Sequence, residues 1–283
     1  MDSVSSAHKN LSLGYYQALA HILESLLDLD RVVRVVEVGC GSGMLSIWFA
    51  RRLGPRGSVT ALDIDRGSLR QAVGDARLMG VSNVRFERGD VYKLSLPVES
   101  ADVVVCKSML CVLKDPKAAV EAMARIVRPA GHLVAIEPAS PQAFYDPDDT
   151  RFTYLSEQLH GAFQRGWRRQ GADPTIGLKV PHLFLSHGFS DVAAEAVSAI
   201  HLLSDHRRDF EEVVDQLETE AFDLPEDTKA LLAKGGLAKK ELQELHRRAR
   251  VRVERVRSAS SSASRSAYVR LMSTLTVTVG RRS

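Results

Sequence analysis

Short apolar runs and longer runs with helical spacing alternate along the first half of the chain. The short runs have the length of strands, and they are Val32–Val38, Val59–Leu62, Val84–Glu87, Asp102–Cys106 and His132–Glu137. The runs with helical spacing are Leu11–Leu29, Met44–Leu53, Gly67–Met79 and Pro116–Val127. Strands that alternate with helices predict a parallel, doubly wound α/β sheet. In such a sheet, ligands bind at the carboxyl ends of the strands.

The regular alternation stops after Pro138. We predict a helix near Asp149–Gln170, a sixth strand over Val192–Leu202 and a last strand over Ser273–Val279, with a strongly helical segment between the two strands. The chain is thereby divided into a predicted sheet-containing core, residues 1–138, 186–203 and 268–283, and a predicted, mostly helical lid, residues 139–185 and 204–267. A lid of this kind excludes water and holds a substrate. The alternative interpretation is decoration of the fold or packing in a homodimer.

Three glycines at alternate positions follow the first predicted strand. Residues 35–43 read Val-Val-Glu-Val-Gly-Cys-Gly-Ser-Gly, and a predicted helix begins at Met44. Gly39, Gly41 and Gly43 allow the backbone to turn sharply and to approach a ligand without a Cβ in the way. The start of the helix adds unpaired N–H groups, so the segment predicts a nucleotide-binding loop. The dinucleotide motif Gly-x-Gly-x-x-Gly would need glycine in place of Met44, which disfavours NAD.

Acidic residues accompany the first three predicted strands. Glu37 lies inside an apolar strand, where a carboxylate needs a polar partner, and a cationic amine nearby would explain it. Asp63 ends the second strand at the usual distance for a carboxylate that binds ribose hydroxyls. Asp90 follows the third strand, where it is placed to meet an adenine edge. A single aspartate at a strand end is commonly a turn former or helix cap, but the ordered series favours ligand binding.

Several motifs occur in a familiar order. The segments VVEVGCGSG, ALDID, RGDVYKLSLPVESADVVV, LKDP and IVRPAGHLVAIEP resemble the motifs of class I S-adenosylmethionine-dependent methyltransferases, over roughly Tyr15–Pro138. A looser stretch, from Gly171 to Val192, resembles small-molecule members related to the quinone-biosynthesis and natural-product groups. The resemblance implies a Rossmann-like seven-stranded sheet whose last strand is antiparallel, with both insertions overhanging the cofactor pocket. It also implies S-adenosylmethionine as the cofactor.

The same resemblance implies which residues bind the cofactor. The loop from Gly39 through Cys40 and Gly41 to Gly43 carries the methionine part, and Glu37 lies near the methionyl amino group. Asp63 holds the ribose, Asp90 meets the adenine, and Ile64 and Val91 flank the adenine ring. Lys107 follows the fourth strand, where cofactor contacts recur, and either contacts a cofactor carboxylate or extends into solvent. Tyr15, from an N-terminal helix that closes over the cofactor in this family, is a further candidate.

The implied reaction is an in-line displacement, in which an acceptor atom attacks the methyl group from the side opposite the departing sulfur. A base is needed only if the attacking atom carries a proton. The candidates are His160, Tyr154 and Tyr16, and the alternative for each is packing or capping. Whether oxygen, nitrogen, carbon or sulfur attacks stays open.

Composition indicates a cytoplasmic enzyme. The chain has 283 residues, 45% of them hydrophobic and 26% charged, with a formal charge of +3, which predicts a folded protein without a strong field for polyanions. Cys40, Cys106 and Cys111 lack metal or redox spacing, and reduced thiols fit them best. No apolar run approaches the ~20 residues of a membrane span, and no signal peptide is evident. Two histidine pairs five residues apart suit no metal site.

A basic helix near the end of the chain motivates a second hypothesis, an RNA or protein methyltransferase. Its arginines are Arg247, Arg248, Arg250, Arg252, Arg255 and Arg257. Apolar residues recur there at helical spacing, so the arginines are predicted to lie mostly on the solvated face of an amphipathic helix, and nucleic acid is disfavoured. A third hypothesis is a protein that binds S-adenosylmethionine without methyl transfer. A small-molecule acceptor remains the favoured partner.

Overall fold

The computed structural model describes residues 17–139, 143–146, 148–198, 200–202, 224, 226–258, 269–271 and 274–283. The chain divides into two compact units. The core unit comprises Ala20–Ala139, Thr175–Ala196 and Leu275–Ser283, and the insert unit comprises the described parts of Ser140–Pro174 and Val197–Thr274 with residues 17–19. Tyr15 and Tyr16 lie outside the described residues, as do residues 204–223, 225 and 259–267 of the second predicted insertion.

A seven-stranded sheet forms the centre of the core unit. Its strands are β1 (Arg34–Val38), β2 (Ser58–Asp63), β3 (Val84–Arg88), β4 (Ala101–Lys107), β5 (Val127–Pro138), β7 (Phe189–Val197) and β10 (Leu275–Arg282). They are ordered β3-β2-β1-β4-β5-β10-β7. The first five strands pair in parallel and β10 pairs antiparallel with β5, which confirms the predicted Rossmann-like sheet.

Helices precede or connect the strands of the core unit. They are α1 (residues 17–26), α2 (Met44–Leu53), α3 (Arg66–Leu78), α4 (Pro116–Ala124) and α6 (Val180–Ser186). Local sequence sets two of the starts. The Asp65 carboxylate accepts the Ser68 N–H at 2.7 Å before α3, and the Asp115 carboxylate accepts the Ala118 N–H at 2.9 Å before α4. Pro116 then occupies the first turn of α4, where its missing N–H costs nothing.

The hydrophobic core lies on both faces of β4. Val103, Val104 and Val105 are fully buried, as expected for a strand covered on both sides. At the amino ends of the strands, Asp102 accepts hydrogen bonds from the backbone N–H groups of Val33 and Arg34 at 2.7 and 2.6 Å and pairs with Arg128. The Asp102 carboxylate therefore fixes β1 against β4 and leaves the carboxyl ends of both strands to the candidate site.

The predicted strand over Val192–Leu202 is wrong in its extent. The core strand β7 begins at Phe189 and ends at Val197, and the chain then enters a separate strand, β8 (Ile200–Leu202). Ile200 and Leu202 continue the same apolar alternation, so periodicity did not separate the two strands. The last strand also extends beyond the predicted end at Val279 to Arg282.

The insert unit contains three described helices and a small sheet. The helices are α5 (Thr150–Arg168), α7 (Glu226–Lys234) and α8 (Lys239–Ser258), and the sheet has the order β6-β9-β8, with β6 (Ala143–Tyr145) and β9 (Val269–Leu271). Gly166 lets α5 approach α7 closely, because a Cβ there would lie 2.4 Å from the Leu231 carbonyl oxygen. The prediction did not include this sheet. Residues 175–185, predicted as lid, belong to the core unit.

Candidate active site at the carboxyl ends of the central strands

The glycine loop after β1 leaves open space at its middle residue. Gly39, Gly41 and Gly43 have φ angles of 74°, 52° and 77°, which disfavour any side chain. A Cβ on Gly39 would lie 2.8 Å from Met109 Sδ, and one on Gly43 would lie 2.6 Å from Phe86 Cε1. Among the residues that the structure describes, no atom would lie within 4 Å of a Cβ on Gly41. The outer glycines are therefore required for packing, whereas Gly41 presents backbone to a space that a ligand can fill.

Hydrogen bonds to the end of β2 hold this loop in place. The N–H groups of Gly39 and Cys40 donate to the Leu62 carbonyl at 2.7 and 2.9 Å, and the Gly41 N–H donates to Asp63 Oδ2 at 2.7 Å. Asp63 Oδ1 accepts the Asp65 N–H at 2.9 Å. Because a carboxylate accepts about four hydrogen bonds, Asp63 has capacity for two hydroxyl groups besides these backbone contacts.

Asp90 lies at the end of the neighbouring strand β3. Its Oδ1 accepts the Tyr92 N–H at 3.0 Å and thereby starts a short 3-10 turn over Val91–Lys93. Val91 is only 7% exposed and packs in the core, whereas Ile64, next to Asp63, is 61% exposed. Because Ile64 is exposed beside Asp63, it offers an apolar surface for a flat ring.

Glu37 is a buried carboxylate beneath the loop. It is 2% exposed, and Oε2 accepts a hydrogen bond from the Ser46 hydroxyl in the first turn of α2. Burial raises the pKa of Glu37 to about 8, and the Ser46 hydrogen bond and the Lys107 ammonium oppose that rise. A carboxyl group in this state gains from a second cation, because a positive ligand group would stabilise its charged form.

Lys107 ends β4, between Glu37 on β1 and a second buried carboxylate, Glu137 on β5. The Lys107 residue is half-buried, and whether its ammonium contacts a cofactor carboxylate or extends into solvent stays a prediction. Burial lowers the pKa of Lys107, and the two carboxylates raise it. Our sequence interpretation did not single out Glu137. An acid inside an apolar strand, the signal that identified Glu37, was also present there.

The thiols near the site are not activated. Burial raises the pKa of Cys40 and of Cys106, and the nearby carboxylates raise both further. Cys40, Cys106 and Cys111 are all buried and free of disulfides. Since the thiolate is the reactive form, these cysteines serve packing rather than nucleophilic catalysis.

Two of the three predicted base candidates, His160 and Tyr154, lie on α5 in the insert unit, and the third, Tyr16, lies outside the described residues. His160 Nδ1 is 2.7 Å from the Ser156 carbonyl oxygen, which can only accept, so Nδ1 carries the proton. Tyr154 is exposed, and the Arg151 guanidinium lies 5.0 Å from the centre of its ring. Their role toward an acceptor stays a prediction.

An open glycine loop, a buried carboxylate and two aspartates thus meet at the carboxyl ends of adjacent parallel strands. The arrangement fits a ligand with an ammonium group, a sugar and a flat base. A family model described as a methyltransferase domain matches residues 29–166. This segment, just under half of the chain, is therefore similar to a methyltransferase domain. The match covers β1–β5 and their helices, the part of the chain that holds every core residue of this site.

The curated proteins that the chain resembles are named as methyltransferases. The nocamycin O-methyltransferase of Saccharothrix syringae is 28% identical over 140 residues, 50% of this chain and 50% of the relative. The ubiquinone/menaquinone biosynthesis C-methyltransferase of Azotobacter vinelandii is 32% identical over 134 residues, 46% of this chain and 52% of the relative. The chain thus matches about half the length of these two relatives.

Solved structures share the fold at low identity. The [4+2]-cyclase SpnF aligns with a TM-score of 0.55 and 16% identity, over 94% of this chain and 80% of that one. At this identity the likeness shows the fold alone.

Neither a membrane helix nor a metal cluster is found in the described part of the chain. None of its helices has both the length and the apolar composition needed to cross a bilayer. No three side chains among its histidines, cysteines, aspartates and glutamates come together as a metal site.

Proposed function

We propose that this protein transfers a methyl group from S-adenosylmethionine to a small organic acceptor. The observation that carries the proposal is Glu37, a buried carboxylate below an open glycine loop, inside a methyltransferase domain. The printed names of the relatives, an O-methyltransferase and a quinone-biosynthesis C-methyltransferase, support a small acceptor.

The cofactor would be held by residues at four strand ends. Glu37 would bind its amino group, Asp63 its ribose hydroxyls and Asp90 its adenine edge. Ile64 and Val91 would flank the base. Gly39, Cys40, Gly41 and Gly43 would line the methionine part, with Lys107 beside it, and Tyr15 would add a contact from the N-terminal segment.

When bound, S-adenosylmethionine supplies an electrophilic methyl group on a positively charged sulfur. The protein's own contribution is position and charge. Glu37 holds the methionine end by its ammonium group, and the rigid glycine loop, fixed to Leu62 and Asp63, limits where that end can lie. Glu37, which burial keeps protonated in the ligand-free protein, would ionise when a cation binds beside it.

We further propose that the insert unit binds the acceptor. The first insertion follows Pro138 and the second ends before Leu275, and these two residues are paired neighbours at the carboxyl edge of the sheet. Both connections therefore begin or end at the edge where the cofactor residues lie. His160 and Tyr154 are the proposed bases, if the acceptor needs one. The proposed setting is the cytoplasm, and a homodimer stays a prediction.

The basic helix α8 gives little support to a nucleic-acid substrate. Leu245, Ala249 and Val253 are buried, as amphipathic spacing predicts. Arg247, Arg250 and Arg257 are exposed, as predicted, and Arg248 and Arg252 are the exceptions among the described residues. Arg248 pairs with Asp149 at 2.6 Å, and Arg252 pairs with the buried Asp146. These two charges serve the internal stability of the insert unit.

Two measurements test the proposal. Calorimetric titration with S-adenosylmethionine, and separately with NAD, should give binding of the former and none of the latter. Incubation with radiolabelled S-adenosylmethionine and a panel of quinols, phenols and amines should then yield labelled product together with S-adenosylhomocysteine. Binding without turnover of any acceptor would favour the hypothesis of a cofactor-binding protein. Tight, steeply salt-dependent binding of RNA would favour the basic-helix hypothesis.

A further inference from the structure

Three charged side chains lie on three adjacent strands of the core unit. Glu37 is on β1, Lys107 on β4 and Glu137 on β5, and β4 is hydrogen-bonded to both neighbours. In the register, Glu37 is opposite Val105, and Lys107 is opposite Ile136. The lysine therefore ends the strand that separates the two carboxylates, at the edge of the sheet where the glycine loop turns.

The two carboxylates have different hydrogen-bond partners. Glu137 is fully buried, and it accepts backbone N–H groups of Met109, Leu110 and Cys111 at 2.9, 2.8 and 3.1 Å. Glu37 accepts the hydroxyl of Ser46. Burial raises the pKa of both carboxyl groups. Three backbone N–H donors oppose this rise at Glu137, whereas at Glu37 the hydrogen bond that opposes it comes from the Ser46 hydroxyl.

The charged groups that face Glu37 come from two elements. Lys107 on β4 attracts its charge, and Asp63 at the end of β2 repels it, while Ser46 on α2 adds the hydrogen bond. Lys107 faces Glu37, Glu137 and the thiol of Cys111. Lys107 is thus the cation that acts on Glu37 among the described residues, and it is shared with a second carboxylate.

We propose that Lys107 is a positioning residue, the internal counter-ion that lets Glu37 carry its charge when the cofactor's ammonium group arrives. This inference rests on the proposed function. With both carboxylates ionised, the three side chains carry a net charge of −1, which one ligand cation neutralises. Without Lys107 the same strand ends would hold two buried negative charges, and Glu37 would keep its proton instead.

Two other roles for Lys107 make different predictions. If Lys107 contacts the cofactor's carboxylate, replacing it would change the affinity for S-adenosylmethionine and would not change the ionisation of Glu37. If Lys107 only packs, replacing it would lower stability by the same amount whether or not Glu37 is present. The experiment must therefore measure the proton on Glu37 and not affinity alone.

The first arm is calorimetric titration with S-adenosylmethionine between pH 6 and 9, in two buffers of different ionisation enthalpy. The number of protons released on binding reports how much Glu37 is protonated beforehand. The release falls as pH rises, because Glu37 is then already ionised before binding. For K107M we expect the pH at which the release falls to half its maximum to rise by about one unit. K107R, which keeps the charge, and K117M, which removes an exposed lysine from α4, should leave it unchanged. Lower affinity in K107M with an unchanged midpoint would overturn the inference.

The second arm uses the ligand-free protein and so stands apart from the proposed function. Thermal unfolding of wild type, K107M, E37Q and E37Q/K107M is followed at pH 6 and pH 9. We expect K107M to lower Tm more at pH 9 than at pH 6, and the double variant to lose this pH dependence, because it lacks the carboxylate that Lys107 balances. Additive changes in Tm would overturn the inference. If K107M fails to fold, recovery of folding in E37Q/K107M supports the counter-ion, and failure of both contradicts it. Absence of S-adenosylmethionine binding by wild type would defeat only the proposed function.

Discussion

Ser46 on α2 donates its hydroxyl hydrogen to Oε2 of Glu37 on β1, and both side chains are buried. This bond joins the strand before the glycine loop to the helix after it. It also orients a carboxylate that the protein alone keeps largely protonated near neutral pH, because burial raises the pKa of Glu37 to about 8. The site therefore holds a group whose charged form needs a ligand.

Replacing Glu37 should make the ligand-free protein more stable at high pH. A carboxyl group whose pKa is raised from 4.5 to about 8 on folding contributes stability that is present below pH 4.5 and is lost as pH rises to about 8. The amide side chain introduced by E37Q keeps an acceptor for Ser46 without the charge. We expect E37Q to match wild type at pH 5 and to exceed it at pH 8.5 by roughly 2 to 4 kcal/mol in urea unfolding. A variant less stable than wild type at both pH values would refute this account of Glu37.

The glycines of the loop should respond differently to alanine. The methyl group of Gly41→Ala meets no atom of the described part of the chain, so we expect only the positive φ to oppose it, at about 1 to 2 kcal/mol. Gly43→Ala places a methyl group against Phe86 and Ala72 and should cost more, with overpacking of about 1 to 3 kcal/mol added. We expect G41A to fold and to lose at least about tenfold in S-adenosylmethionine affinity, since the new methyl group enters the ligand space. Unchanged affinity in G41A would show that the ligand lies elsewhere.

Asp63 and Asp65 form a matched pair two residues apart. Asp63 is assigned to the ribose hydroxyls, whereas Asp65 caps α3 through the Ser68 N–H. We expect D63A to weaken S-adenosylmethionine binding by about 10- to 100-fold, the effect of hydrogen bonds to a charged group. D65A should lower stability by about 1 kcal/mol and leave affinity within about twofold of wild type. Equal affinities in the two variants would remove the ribose assignment.

Thr278 offers a test of the core that is independent of function. Its hydroxyl is buried in β10 and has no hydrogen-bond partner among the described residues. T278V should therefore raise the free energy of unfolding by about 1 kcal/mol. T276V, on the same strand, removes a hydroxyl that donates to the Glu137 carbonyl at 3.3 Å and should lower it. Chemical denaturation of both variants measures the free energy of unfolding, and a lower value for T278V than for wild type would contradict the prediction.

The sequence predicted the parallel sheet because buried strands and amphipathic helices differ in period, and that difference is local. It predicted Glu37 because an acid in an apolar strand needs a partner. The same argument applies to Glu137, but the partners of Glu137 are backbone N–H groups of a turn after another strand, which no local pattern reveals. The sheet of β6, β8 and β9 was missed because three-residue strands have no measurable period and pair with distant segments. The ion pairs of Arg248 and Arg252 were not predicted, because helical spacing does not show which acids approach from another segment.

The central claim is that Glu37 receives the ammonium group of S-adenosylmethionine. Its most direct test is calorimetric titration of wild type and E37Q with S-adenosylmethionine at pH 7 in phosphate and in Tris. We predict that wild type binds with release of close to one proton, because the Glu37 carboxyl group must ionise, and that E37Q binds at least about tenfold more weakly with no such release. Equal affinity and equal proton release in the two proteins would contradict the claim.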